Sequence, residues 1–253
     1  MPRDVSTPTE STRNERELAD ANRAFYEGLW SETKLLTPDL FSTWPLASKL
    51  AAAAPRRLEV APGLRPRLPI EGTNFLDISA AALSQLAARG GKVTRGSILS
   101  LPFPDASFDL VAALDIIEHV HADEQALAEL SRVAAPGATV LIATPLHPAI
   151  WNGFDDYVGH RRRYVPDELL AKLATVGWTI EQSSSYGMQA KSSRLLDVGI
   201  WFLTHRRRKA MFVYNHLIMP LGMRAERKKV LTMHEGLIDL NTIDEVLLVC
   251  RKS

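Results

Sequence analysis

Apolar positions along this chain recur with two periods. From residue 57 to residue 184, short apolar runs of strand length alternate with stretches in which apolar residues return every three or four positions. Leu58–Val60, Thr73–Asp77, Lys92–Arg95, Phe108–Ala113 and Thr139–Ala143 read as strands, and Trp178–Ser184 and Glu245–Cys250 add two more. Ala80–Arg89, Asp123–Val133 and Pro166–Val176 read as helices, the last opening on a proline suited to a first helical turn. The pattern predicts an α/β fold: a Rossmann-like, doubly wound seven-stranded sheet, mostly parallel, covered on both faces, with ligands at the carboxyl ends of its strands.

Two segments stand outside this alternation. Residues 17–54 are helical in pattern and dense in aromatics (Phe25, Tyr26, Trp30, Phe41, Trp44), with Pro38 and Pro45 as punctuation, so they read as a helical lid. Residues 1–16 are polar and charged, without the apolar stretch of a secretory signal, and are expected to be a disordered lead-in. Residues 188–239 are far too long for a hairpin loop and alternate apolar stretches (Leu195–Leu203, Met211–Met223) with basic ones (His205–Lys209, Arg224–Lys229). They read as a helical insertion that serves as a cap or homodimer interface, or that makes peripheral contact with an anionic membrane. No apolar run approaches the ~20 residues that a membrane span needs. The expected organisation is one domain, 17–253, comprising the lid, a core at 55–187, the insertion, and the last strand within 240–253.

Composition narrows the function classes. A net charge of +1 over 253 residues speaks against a nucleic-acid binder, whose domain would carry a basic excess. The lone Cys250 has no disulfide partner and no Cys/His group for structural zinc, so a reducing, cytoplasmic setting is expected.

The chemistry concentrates where strands end. RLEVAPG (57–63) runs an apolar strand through Glu59 into a glycine-bearing turn, and the next strand closes on Asp77. Such a turn lets backbone approach a ligand closely, and a carboxylate ending the second strand can accept both hydroxyls of a ribose. NAD, a flavin and S-adenosylmethionine all carry that ribose. The turn lacks the G-x-G-x-x-G spacing that seats a pyrophosphate on a helix N-terminus, which disfavours a dinucleotide.

Further along come LPFPDASFDLV (101–111), the cluster Asp115, Glu118, His119 after the fourth strand, and Pro136-Gly137 before another. With the Glu59 turn and Asp77, this order over residues 57–187 resembles the class I S-adenosylmethionine-dependent methyltransferases, and LPFPDASFDLV is its most specific part. The resemblance implies a last strand paired antiparallel and lid helices over the cofactor, with Tyr26 and Trp30 facing substrate. It assigns Glu59 to the cofactor's amino end, Ala61 and Gly63 to the close-approach turn, and Asp77 to the ribose. Ile78 would lie on the adenine face, Ser97 and Ile98 on the adenine edge, and Leu114 beside the cofactor. Arg65 stands where the family has a glycine, and Pro66 and Pro69 follow. The usual helix after the turn is therefore expected to be short or absent, with Arg65 or Arg67 pairing with the cofactor carboxylate.

The acceptor side follows from the same resemblance. Asp115, Glu118 and His119 are similar to an E-x-x-E-H metal pattern of ubiquinone-pathway O-methyltransferases, but E-H-V at this place also occurs in metal-free relatives. The expectation is therefore no divalent metal, with Asp115 near substrate and His119 as a base. GHRRRY (159–164) resembles a stretch in glycan- and lipid-modifying members, which makes His160 a second candidate base and Arg163 and Tyr164 substrate contacts, with His147 behind them. The implied reaction moves a methyl group by direct displacement to an oxygen or nitrogen of a small-molecule or glycan- or lipid-linked acceptor and leaves S-adenosyl-L-homocysteine. The alternative is a cofactor-free binding or regulatory protein on the same scaffold.

Overall fold

A computed structural model describes residues 33–187, 198–199, 201–202 and 205–253. The lead-in, most of the lid with Tyr26 and Trp30, and the first part of the insertion lie outside the described residues.

Strands β1 (Arg57–Val60), β2 (Asn74–Asp77), β3 (Lys92–Arg95), β4 (Phe108–Leu114), β5 (Ala134–Pro145), β6 (Trp178–Ser185), β7 (His234–Glu235) and β8 (Glu245–Lys252) form one sheet in the order β3-β2-β1-β4-β5-β8-β6-β7. β1 to β5 are mutually parallel, and β8 runs antiparallel between β5 and β6. The sheet has eight strands, one more than the pattern predicts. β7 is a two-residue strand on the edge of β6, too short to show any periodicity.

The central strands are apolar on both faces because both are covered. Along β4, Val111 and Ala113 face a core built with β5, helix α3 (Asp123–Val133) and helix α5 (Pro166–Thr175). Leu110 and Ala112 face the opposite core, where Ala47 and Ala51 bring helix α1 (Trp44–Ala53) against the sheet. The described end of the expected lid is thus packed on a sheet face. Helix α2 (Ala80–Ala87) is capped by Ser79, whose Oγ accepts from the Ala82 N–H at 3.2 Å, and packs on Phe75.

Two local features bear on the site. No helix joins β1 to β2: residues 61–73 form a loop pinned by the fully buried Leu64 and Leu68. The LPFPDASF segment is held by Arg132 at the end of α3, which donates to the carbonyls of Leu101 and Phe103 at 2.9 Å and to Asp105 at 2.7 Å. The motif most specific to the resemblance is therefore a brace for the entry into β4.

The order of strands reverses between β1 and β4, and the crevice outside their carboxyl ends is where an open α/β sheet binds ligands. Over that end lies the described part of the insertion: helix α6 (Arg207–Val213), a π-helical turn at Tyr214–Ile218 and helix α7 (Met219–Glu226). Pro220 cannot donate to a preceding carbonyl, which accounts for the break from α-helical bonding just before it. Helix α4 (Gly153–Val158) sits on the β5 side of the crevice, with Asn152 and Asp155 closing a capping box at its start.

Candidate functional site

The β1 turn is built, but differently from expectation. Ala61 and Gly63 both hold positive φ, +54° and +53°, the region where glycine is at ease and alanine is strained. Asp77, 4% exposed, accepts the Gly63 N–H at 2.9 Å through Oδ2 and the Ser79 N–H at 2.8 Å through Oδ1. One carboxylate thus ties the turn after β1 to the end of β2. Glu59 is spent locally: Oε1 accepts from the Arg67 N–H at 2.8 Å and Oε2 from the Leu68 N–H at 2.9 Å. Burial pushes its carboxyl up to about 7 against the pull of those two bonds. Ile78 is half-buried beside Asp77 and Ser97 is exposed on the next loop, while Ile98 points into the core and has only backbone to offer a ligand.

At the ends of β4 and β5 a dense polar cluster is enclosed. Leu114, half-buried, leads into Asp115, which is held at φ +54°. Asp115 is hydrogen-bonded to Glu245 at the start of β8. Burial raises both carboxyls; the shared bond raises Glu245 and lowers Asp115, so Glu245 keeps the proton and donates it. Gly187 permits this pairing, because a Cβ there would stand 2.7 Å from Glu245 Oε2. Glu118 is fully buried, and burial together with Asp115 pushes its carboxyl well up.

The two histidines meet edge to face, with ring centroids 4.7 Å apart. Their surroundings separate them. Burial, then His160, pushes His119 down to about 3, which leaves it a very weak base. His160 Nδ1 lies 2.7 Å from Asp155 Oδ1, and since a carboxylate only accepts, the proton sits on Nδ1 and Nε2 keeps its lone pair. Burial lowers His160 too, but Asp155 works against it. Asp155 also accepts from Arg163 Nε at 2.9 Å and from the Asn152 N–H at 2.9 Å, and with His160 these outweigh the effect of burial and keep it ionised.

Other expected substrate contacts have structural partners. Arg163 is buried against Asp155, and the Tyr164 hydroxyl donates to Asp123 at 2.9 Å inside the core. His147, at φ +61°, places Nε2 2.9 Å from the Leu240 carbonyl. For a metal, the ligand atoms brought together are those of Glu118, His119 and His160, within 4.8 Å of one another; Asp115 is replaced in that set by His160.

Arg67 does not reach out as a free cation. Its guanidinium stacks 3.7 Å from the centre of the Phe41 ring and donates to the Tyr186 hydroxyl and the Arg65 carbonyl. Arg65 donates through one terminal nitrogen to the Tyr214 hydroxyl. The buried Nε of Arg65 and the buried Oδ1 of Asp115 have no hydrogen-bond partner among the described residues.

Residues 71–142 match a family model described as a methyltransferase domain. Over this part of its length the chain is similar to S-adenosylmethionine-dependent methyltransferases. It is 33% identical over 112 residues to a probable S-adenosylmethionine-dependent methyltransferase of Mycolicibacterium smegmatis, covering 43% of this chain and 44% of that one. Over 81 residues it is 48% identical to a probable chloroplastic tocopherol O-methyltransferase of Oryza sativa subsp. japonica, covering 30% and 22%. The chain thus spans less than half the length of these curated relatives. Its fold is similar to a solved S-adenosylmethionine-dependent methyltransferase of Thermotoga maritima, with a TM-score of 0.52 and 15% identity over 94% of this chain and 97% of that one.

The residues of this site that the sequence did not single out are Asp155, Glu245, Tyr186 and Gly187. Only Asp155 left a trace, as the fourth residue of an Asn-x-x-Asp helix start five positions before His160.

Proposed function

We propose that this chain is an S-adenosylmethionine-dependent methyltransferase acting on an oxygen or nitrogen of a small-molecule or lipid-linked acceptor, with His160 as the base. The observation that carries this reading is that two of the buried groups without hydrogen-bond partners among the described residues, Asp115 Oδ1 and Arg65 Nε, are of opposite charge and lie at the crevice where the family binds its cofactor. A carboxylate oxygen and a guanidinium N–H match the ammonium and carboxylate of the cofactor's amino-acid end. That assignment replaces Glu59, whose oxygens are taken by backbone. Asp77 would take the ribose hydroxyls while bracing the turn.

Bound S-adenosylmethionine supplies an electrophilic methyl carbon, displaced in line by the acceptor atom. The chain's task is orientation, exclusion of water and removal of one proton. His160 Nε2 takes that proton, and Asp155 holds the ring in the required tautomer and stabilises the imidazolium that forms. Glu245 holds Asp115 in place through their shared proton.

Calorimetric titration with S-adenosylmethionine and S-adenosylhomocysteine, with NAD as control, tests this. Binding of both sulfur nucleosides, abolished in Asp77→Ala and weakened in Asp115→Asn, is expected. If neither binds, the full engagement of Glu59 by backbone favours the second reading, a cofactor-free binding protein on this scaffold.

A further inference from the structure

The described insertion carries a surface that the methyl-transfer reading does not use. Helix 207–226 packs inward through Ala210, Tyr214, Met223 and Glu226, the last 2.6 Å from Ser42 Oγ. Its other side turns Phe212, Leu217, Ile218 and Leu221 outward at 64%, 58%, 56% and 61% exposure. Single exposed apolar residues are ordinary, but four large ones on one helix form a patch that needs a partner.

Charge says which partner. From Val198 to Ala225 the sequence contains no Asp or Glu and five Arg or Lys residues, in a chain whose net charge is only +1. Arg206 and Lys209 are exposed at one end of the helix, and Arg224, Arg227 and Lys228 at the other. Apolar side chains flanked by cations, with the helix's one acid, Glu226, buried on the inner side, complement the headgroup and acyl layers of an anionic bilayer. No helix among the described residues is long and apolar enough to cross a membrane, so the contact would lie in the interface plane.

We propose that helix 207–226 is a peripheral docking surface for anionic membranes. The surface stands independently of the catalytic reading, but Tyr214 on its inner side bonds Arg65 at the β1 turn, so docking would set the crevice beside the lipid headgroups.

Co-sedimentation of the full chain, without cofactor, with vesicles of phosphatidylcholine alone and mixed with phosphatidylglycerol tests the idea. Binding to the anionic vesicles is expected, with a loss of about tenfold or more in partitioning for Phe212→Ser/Leu217→Ser/Leu221→Ser and for Arg224→Gln/Arg227→Gln/Lys228→Gln. All six side chains are exposed, so unchanged thermal midpoints will confirm that folding is intact. Failure to sediment with anionic vesicles, or binding by both variants equal to that of the parent, would overturn the proposal. So would a concentration-dependent dimer that the serine variant abolishes, since a second copy would then cover the face.

Discussion

Asp155 Oδ1 lies 2.7 Å from His160 Nδ1, and the same oxygen is 2.9 Å from Arg163 Nε. One carboxylate therefore fixes the ring proposed as the base and ties the GHRRRY segment to helix α4. Asp155→Asn should lower kcat by roughly a hundredfold or more while leaving cofactor affinity intact. His160 already titrates below its ordinary value, because burial outweighs Asp155. Removing the carboxylate should move the acid limb of the kcat profile lower still, and a pH–rate series on both proteins checks it.

Glu59 gives a stability effect with a defined sign. Its carboxyl is raised by burial from 4.5 in the unfolded chain to about 7 in the fold, so the folded state holds the extra proton. Its contribution is fully present below about pH 4.5 and is lost as pH rises through about 7. The stability of the parent relative to Glu59→Gln should therefore fall across that window, by up to about 3 kcal/mol. Urea unfolding of both proteins from pH 5 to pH 8, on the order of that whole window, would read it out, and parallel curves would refute it.

Ala61 holds a glycine conformation at φ +54°. Ala61→Gly should relieve the strain and stabilise the fold by about 0.5–1 kcal/mol, net of the entropy that glycine adds to the unfolded chain. Thermal unfolding will show a higher midpoint, and calorimetry will show cofactor affinity at or above that of the parent.

At Gly187 the opposite change is damaging. A Cβ would meet Glu245 Oε2 at 2.7 Å, and φ is +129°. Gly187→Ala should cost about 2 kcal/mol and displace Glu245 from Asp115. Cofactor affinity should fall with it, whereas Glu245→Gln, which can still donate to Asp115, should retain most binding.

How far these features were legible differs by kind. The parallel strands and their helices could be read because burial on one or two faces leaves a periodic trace in the residues themselves. The absent helix after β1 was legible from Arg65, Pro66 and Pro69, since proline excludes helical hydrogen bonding whatever the surroundings. The two-residue β7 was invisible because it is defined by its partner, Gln182 opposite Glu235, and has no pattern of its own.

The site divides along the same line. The sequence by itself determined which residue types stand at the ends of the strands, Glu59, Asp77, Asp115 and the Glu118-His119 pair, and that His160 lies in the segment after β5. Tertiary structure decided their duties, because a side chain's chemistry depends on its neighbours in space. Glu59 was drawn into bonds with nearby backbone and Tyr164 into a bond with Asp123, and His119 was desolvated into a weak base. Glu245, 130 residues along the chain from Asp115, became its proton partner. Asp155, placed at the start of α4 by its capping box with Asn152, bonds Nδ1 of His160 and so fixes the tautomer of the ring proposed as the base. Periodicity records burial, which is a property of one segment; hydrogen bonds and desolvation belong to pairs, and the pairs exist only in the folded chain.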